Sequence, residues 1–136
     1  MLLHIHHIDY CEAYHLASAI VLPETASVLI REPMPWKRLP MVGLATLETS
    51  EEVKKGVRTH SAKFTATLCG GRLALPSRPL AYRLTCVNGR QYLLGIADPL
   101  FPLTTQEEKR PGSAAVTSAV ALVVSLNSSY PVLKIL

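Results

Sequence analysis

The sequence predicts an all-β protein, a single antiparallel β-sandwich or partly open barrel with little helix. Apolar and polar residues alternate over Arg58–Cys69, Leu80–Cys86 and Arg90–Ile96, and turn residues such as Gly70-Gly71 and Asn88-Gly89 separate these runs. Alternation with a period of two residues is typical of strands with one buried face. Short strands at this spacing, with almost no helical pattern, favour a sandwich or barrel.

The run Arg58–Cys69 shows the alternation most clearly. Ala62, Phe64, Ala66 and Leu68 share one face, and the opposite face carries threonine, serine and lysine. Prolines in the segment after it cannot donate to a strand ladder, so we expect a loop there. Leu80–Cys86 then repeats the pattern.

A hairpin is predicted at Asn88-Gly89, which lies between two alternating runs. A two-residue turn would place the apolar residues of the two strands on different faces. A three-residue loop, Val87 to Gly89, places Leu84 opposite Tyr92 and unites them, because a shift of one residue moves every side chain to the other face. We expect Gly89 to take the left-handed conformation of a bulge.

The first forty residues give weaker patterns. Leu2–Ile8 is predicted to be a strand in which His7 breaks the alternation. Asp9–Leu22 fits a helical stripe and a strand equally; irregular structure or a short strand is favoured because the flanking elements are β. Val28–Arg31 is predicted as a short strand. Arg31–Pro40 holds three prolines and can be neither helix nor central strand.

Met41–Thr49 is predicted as a strand antiparallel to Arg58–Cys69. Between them, Thr49-x-x-Glu52 resembles a helix capping box, so we expect a single helical turn within Ser50–Gly56.

The last forty residues contain two further predicted strands. Asp98–Pro102 should be extended along an edge because it holds two prolines, and the polar segment Thr104–Ser113 is expected to be a mobile loop. Val116–Leu126 is predicted as a long strand, Asn127–Ser129 as a turn and Pro131–Leu136 as a short strand. The inward residues of the long strand are Val116, Val120, Leu122, Val124 and Leu126.

Length and composition indicate one domain over residues 1–136, long enough to bury a core. At 49% apolar and 18% charged residues the chain is too apolar for disorder, and its apolar runs are too interrupted for a membrane span. We identify no signal peptide and expect a cytoplasmic protein. The net charge of +4 comes from scattered basic residues without interleaved aromatics, so a nucleic-acid surface is not predicted.

Three cysteines without a C-x-x-C spacing indicate reduced, structural thiols. Free cysteines behave as small buried hydrophobes. A Cys69–Cys86 disulfide is the alternative, because adjacent strands could bring the two residues close.

His4 and His6 are the candidates for a metal site, because residues two apart on a strand point the same way and imidazole binds zinc, copper or nickel. His15, His60 or Asp9 could supply a third ligand. A polar strand start without a metal is the favoured interpretation, since a real site also needs further ligands and supporting partners. No nucleophile elbow or phosphate loop occurs. The sequence therefore predicts no enzyme activity and no cofactor.

Three residues are candidates for contact with another protein. Trp36 lies in the proline-rich segment, where it could anchor a partner or fold back over the core. Leu133 and Ile135 lie in the apolar terminal segment, which could pair with another chain as an edge strand. We expect self-association or an assembly partner.

The segment Tyr82–Gly95, followed by Asp98-Pro99 and Phe101-Pro102, resembles small uncharacterised β-proteins of bacterial prophage-like elements. The resemblance implies a structural or accessory virion component without catalytic residues.

The expected function is therefore that of a non-enzymatic structural or interaction protein. With the resemblance, it would be a phage-derived head–tail or tail assembly component, associated with the virion. The alternative is a small ligand- or metal-binding β-barrel that uses the N-terminal histidines, and a nucleic-acid-binding barrel ranks third.

Overall fold

A computed structural model describes residues 2–22, 24–31, 33–69, 71–97, 101–109 and 119–136. These residues form eleven strands and one four-residue 3₁₀ turn, Ala13–Leu16, which confirms the all-β prediction. The strands are β1 (Leu2–Glu12), β2 (Ile20–Leu22), β3 (Ser27–Leu29), β4 (Lys37–Arg38), β5 (Met41–Lys54), β6 (Val57–Leu68), β7 (Leu80–Cys86), β8 (Gln91–Leu94), β9 (Leu103–Lys109), β10 (Ala119–Ser128) and β11 (Leu133–Ile135).

All these strands belong to one open sheet with the order β2-β3-β11-β8-β7-β1-β5-β6-β10-β9, and β4 pairs with β1 beside this path. Every pair is antiparallel except β3 with β11, which is parallel. The sheet curls: the Phe64 ring on β6 lies 5.2 Å from the Tyr82 ring on β7, although β1 and β5 separate these strands. The Tyr82 hydroxyl lies 2.6 Å from Thr104 Oγ1 on β9. The described strands therefore form a partly open barrel.

Two clusters of buried apolar side chains lie on opposite faces of the sheet. The inner cluster lies inside the curl and takes residues from β1, β5, β6, β7, β8 and β10. The outer cluster lies on the other face of β7, β8 and β11, beneath the 3₁₀ turn and the proline-rich segment. Its buried members are Ala13, Leu16, Val28, Ala81, Leu93 and Leu133.

A bulge in β1 explains the break in alternation at His7. Ile5 pairs with Cys86 of β7, but His7 pairs with Thr85, so one extra residue lies in β1 between them. A bulge of this kind shifts the phase of the strand. Ile5 and Ile8 can therefore both point into the inner cluster, where each is fully buried.

The β7–β8 hairpin confirms the predicted register. Leu84 pairs with Tyr92, and Tyr82 pairs with Leu94. Gly89 has φ +86° and donates its backbone N–H to the Cys86 carbonyl oxygen at 2.9 Å. This geometry is the predicted three-residue loop with a left-handed glycine.

The predicted faces of the two long strands are also confirmed where they are described. On β6 the buried residues are Ala62, Phe64, Ala66 and Leu68, and on β10 they are Val120, Leu122, Val124 and Leu126. Val116 lies outside the described residues. The short strands predicted near Val28 and before Leu136 are β3 and β11.

The segment from Asp9 to Leu22, which the sequence left ambiguous, divides into three parts. Strand β1 continues to Glu12, the 3₁₀ turn follows, and β2 begins at Ile20. Among the described residues of the proline-rich segment, only the two residues of β4 pair with another strand, as the proline content predicts.

The predicted helical turn within Ser50–Gly56 is wrong. Strand β5 continues to Lys54, which pairs with Val57, and only Lys55 (φ +50°) and Gly56 (φ +79°) form the turn. Positive φ at both central residues is typical of the turns that match strand twist. Pairing with β6 outweighs the local capping pattern, and residues 51–59 form an exposed two-stranded arm.

The predicted mobile loop Thr104–Ser113 is also wrong in its described part. Residues Leu103–Lys109 form β9, which pairs with β10. The side-chain amide of Gln106 both accepts from the Leu73 backbone N–H (2.9 Å) and donates to the Leu73 carbonyl (2.8 Å). Polar side chains suit this strand because one face is exposed and the other makes such bonds.

Smaller differences occur near the chain's end. Strand β10 continues through Ser128, so the predicted Asn127–Ser129 turn begins later than expected, at a bend that includes Ser129 and Tyr130. Residues 98–100 of the predicted extended segment and residues 110–113 of the predicted loop lie outside the described residues.

We expect Gly95→Ala to destabilise the protein more than Gly56→Ala. Both glycines have positive φ, where a side chain costs about 1–2 kcal/mol. A Cβ at Gly56 meets nothing within 4 Å, whereas one at Gly95 would lie 2.8 Å from Pro102 Cγ and 3.3 Å from the Leu80 carbonyl oxygen. Urea unfolding measures both changes. Equal losses of free energy of unfolding would contradict the close approach at Gly95.

Alkaline pH should weaken the fold through Tyr82. Burial raises the pKa of Tyr82 to about 12, although its hydrogen bond with Thr104 lowers it. The tyrosine pKa in an unfolded chain is about 10, so the unfolded state loses its proton first. The stability contributed by the neutral phenol is therefore complete below pH of about 10 and lost as pH rises through about 12, a change of up to about 3 kcal/mol.

The measurement is the free energy of unfolding against pH for the wild type and Tyr82→Phe. The difference in free energy of unfolding between the wild type and Tyr82→Phe should be constant below pH of about 10. Above that pH the wild type should lose stability relative to the variant. Tyr14→Phe is the control, because Tyr14 is exposed. A difference that stays constant at alkaline pH would refute the raised pKa.

Candidate functional site

The histidines of β1 lie at the bulge, on the exposed part of the strand. His4 and His6 are exposed, and the rings of His6 and His7 lie 4.0 Å apart between centroids. Desolvation, followed by the charges of Arg38 and His6, lowers the pKa of His7 against the opposing effect of Asp9. Within the described ranges no group of three or more His, Cys, Asp or Glu residues could hold a metal ion. These residues supply no third ligand for His4 and His6.

A buried ion cluster, which the sequence analysis did not identify, lies on the outer face of β1. Asp9 is 4% exposed and pairs directly across the strands with Arg83 of β7 and Arg38 of β4. Its carboxylate accepts from Arg38 Nε at 2.8 Å and from Arg83 Nη2 at 3.0 Å. A buried carboxylate needs such charge-assisted bonds. The cluster links three strands, β1, β4 and β7, through one carboxylate.

Trp36 packs on this cluster from the proline-rich segment. The Arg83 guanidinium carbon lies 4.9 Å from the centroid of the indole, a cation–π distance. The side chain is partly buried against the outer cluster, and its Nε1 is buried with no hydrogen-bond partner among the described residues. Trp36 lies over the outer cluster, which agrees with the expectation that it could fold back over the core. Its contact with another protein stays a prediction.

Leu133 and Ile135 lie on an internal strand. Strand β11 pairs with β8 through Leu133 and Lys134, and with β3 through Lys134 and Ile135. Leu133 is fully buried and Ile135 is partly buried. Both sides of β11 are therefore occupied within the chain. A contact of these residues with another protein stays a prediction, and an open edge must lie elsewhere.

The two ends of the described sheet differ in chemistry. Strand β9 forms one end and carries Glu107, Glu108 and Lys109 in its sequence. Charged residues on an edge strand discourage pairing with another chain. Strand β2 forms the other end and consists of Ile20, Val21 and Leu22, with no charge. The edge of β2 is therefore the better candidate for an interface.

Apolar side chains continue from this edge onto β3. Ile20 pairs with Leu29, so the two share a face, and Leu22 lies on the same side of β2. These three side chains are between 42% and 55% exposed. We call them the edge patch. Val21 points the other way and packs against the outer cluster. Contiguous exposed apolar side chains beside an open edge make this patch a candidate interaction site.

Cys11 and Cys86 are buried, as expected of structural thiols, whereas Cys69 is exposed. All three are free, so the alternative Cys69–Cys86 disulfide is not formed. Burial raises the pKa of the Cys86 thiol, which disfavours the reactive thiolate.

Comparison of the chain with protein-family models, with curated proteins and with solved structures finds no match. Among the described residues, no helix has the length and apolar character required to cross a membrane.

We expect Asp9→Asn to lower the free energy of unfolding by about 3 kcal/mol, because it removes the carboxylate from a largely buried guanidinium. The control is Glu51→Gln, which breaks the 2.8 Å ion pair with Arg58 between two exposed side chains. Exposed pairs contribute about 0–1 kcal/mol. Urea unfolding measures both variants, and losses of similar size would contradict a stabilising role for the buried cluster.

Proposed function

We propose that this protein is a non-enzymatic structural or interaction protein that associates with a second copy through the open edge of β2. The observation that carries the proposal is the edge patch, Ile20, Leu22 and Leu29, beside an uncharged edge strand. Residues of an edge strand direct N–H and C=O groups outward, and a second strand can satisfy them. No other described segment donates to or accepts from these backbone groups besides β3.

The sequence of β2 suits pairing with itself. Two antiparallel copies centred on Val21 would place Ile20 of each opposite Leu22 of the other. Residues directly opposite each other share a face, so these side chains would extend the edge patch across both copies. Such an arrangement has twofold symmetry, which is the commonest symmetry of oligomers.

The edge patch is small, and this limits the strength of the association. Stable interfaces bury about 800 Å² on each partner, more than three half-exposed side chains supply. We therefore expect an equilibrium between monomer and dimer that depends on concentration.

The resemblance of Tyr82–Gly95 to small β-proteins of prophage-like elements supports a more specific form of the proposal. In this form the association serves a phage-derived head–tail or tail assembly. The role in a phage-derived assembly is supported only by the sequence of the hairpin. The association through β2 is supported by the edge patch.

The test is sedimentation equilibrium of the wild type and of Leu22→Lys over a wide range of concentration. The wild type should pass from monomer to dimer, and the charge on the edge should raise the dissociation constant roughly tenfold or more, about 1.4 kcal/mol.

The matched control is Leu103→Lys, because Leu103 is 66% exposed on β9 at the opposite end of the sheet. It should leave the dissociation constant unchanged. A wild type that remains monomeric throughout, or equal effects of the two lysines, would refute pairing through β2.

A further inference from the structure

A cleft of about 410 Å³ opens at one end of the barrel. There the arm of β5 and β6 continues beyond its neighbours, because the described pairing of β1 with β5 ends at Leu2 and Glu48. The pairing of β10 with β6 ends at Ser128 and His60. The opposite wall consists of β8 and the segment 130–132. The cleft thus lies inside the curl of the sheet, away from the edge patch.

The floor of the cleft is apolar and belongs to the inner cluster. Leu47, Ala62, Leu94 and Leu126 line it, and all are buried. Protein interiors are normally packed as densely as organic crystals. The floor side chains therefore expose almost no surface, and the apolar surface that a ligand can contact comes from the partly buried side chains of Leu3, Tyr92 and Val132.

The rim is polar, because the side chains that point into the cleft change from apolar to polar along β5 and β6. On β5, the residues that point inward after Leu47 are Thr49 and Glu51. On β6, the residue that points inward before Ala62 is His60. Glu51 pairs with His60 across the strands. The Glu51 carboxylate also accepts from Arg58 Nε at 2.8 Å, so these two formal charges cancel. The rim therefore offers hydrogen-bonding groups without a net formal charge.

The opposite wall is held in place by its own bonds. Ser128 Oγ donates to the Tyr130 carbonyl oxygen at 2.7 Å, directly after β10 ends. Pro131 has a fixed φ and restricts the backbone of Tyr130 before it, and Val132 packs against the inner cluster. The cleft is therefore bounded by strands and by a restrained segment.

We propose that this cleft binds an uncharged amphipathic small molecule, with an apolar body on the floor and a hydroxyl or amide head at the rim. Its volume lies within the range of about 300–1000 Å³ that is usual for small-molecule sites, which are mostly apolar with few polar groups and occur in the mouths of β-barrels. The proposal goes beyond self-association and uses none of the residues of the edge patch.

The test uses two dyes with the same aromatic body. Phenylnaphthylamine is uncharged, and anilinonaphthalene sulfonate adds a negative charge that the rim does not complement. Phenylnaphthylamine should bind with one saturable site per chain, and the sulfonate should bind about tenfold more weakly or worse. Absence of saturable binding, or tighter binding of the sulfonate, would overturn the assignment of the ligand class.

Two matched valine variants locate the site. Val132→Trp places a large side chain in the cleft and should weaken binding of phenylnaphthylamine about tenfold or more. Val87→Trp makes the same change in the exposed hairpin loop and should leave the affinity unchanged. Equal affinity of the two variants would show that the dye binds elsewhere.

A measurement on the wild type avoids dependence on the folding of either variant. Addition of phenylnaphthylamine should shift the backbone amide NMR signals of Thr49–Glu51, His60–Ala62 and residues 130–132. Shifts confined to β2 and β3 would instead assign the dye to the edge patch and refute the cleft. Leu22→Lys separates the two proposals, because it should weaken dimer formation roughly tenfold or more and leave dye binding intact.

Discussion

Strand β1 is the element on which the inner cluster and the ion cluster at Asp9 depend, because it pairs on both sides and changes phase along its length. Its first residues pair with β5 and its later residues pair with β7. The bulge between Ile5 and His7 keeps Ile5 and Ile8 in the inner cluster and turns Asp9 to the outer face. There Asp9 meets one arginine from each neighbouring strand. The extra residue of the bulge thus allows one strand to contribute side chains to the apolar interior on one face and to the ion cluster on the opposite face.

Much of the fold was predictable because local alternation encodes it. The parity argument at Leu84 and Tyr92 gave the correct loop length, since only one register places both apolar sets on one face. The helical turn within Ser50–Gly56 and the described part of the loop Thr104–Ser113 were predicted wrongly. Thr49-x-x-Glu52 satisfies a capping box, and Thr104–Ser113 is polar, but cross-strand pairing with β6 and β10 decides the first segment and the described residues of the second. Such long-range pairing leaves no signal within a short window of sequence.

The candidate surfaces were harder to predict than the strands. An apolar terminal segment suggested an open edge, but β3 pairs with β11 in parallel and occupies it. The open edge belongs to β2, whose pattern fitted helix and strand equally. The cleft depends on the curl of the sheet, which brings β8 near β5 and β6 although they are distant in the strand order. The spacing of His4 and His6 was visible in the sequence, whereas the presence of further metal ligands near them depends on the fold.

The unequal ends of the sheet bear on the size that an assembly can reach. A strand that adds to one end of a sheet normally creates a new end, and repetition of this step produces fibres. Here the charged sequence of β9 opposes such repetition, and the proposed twofold pairing would use the uncharged end of each copy. Growth through the sheet would therefore stop at two chains, and any larger particle would need a different surface for each further contact.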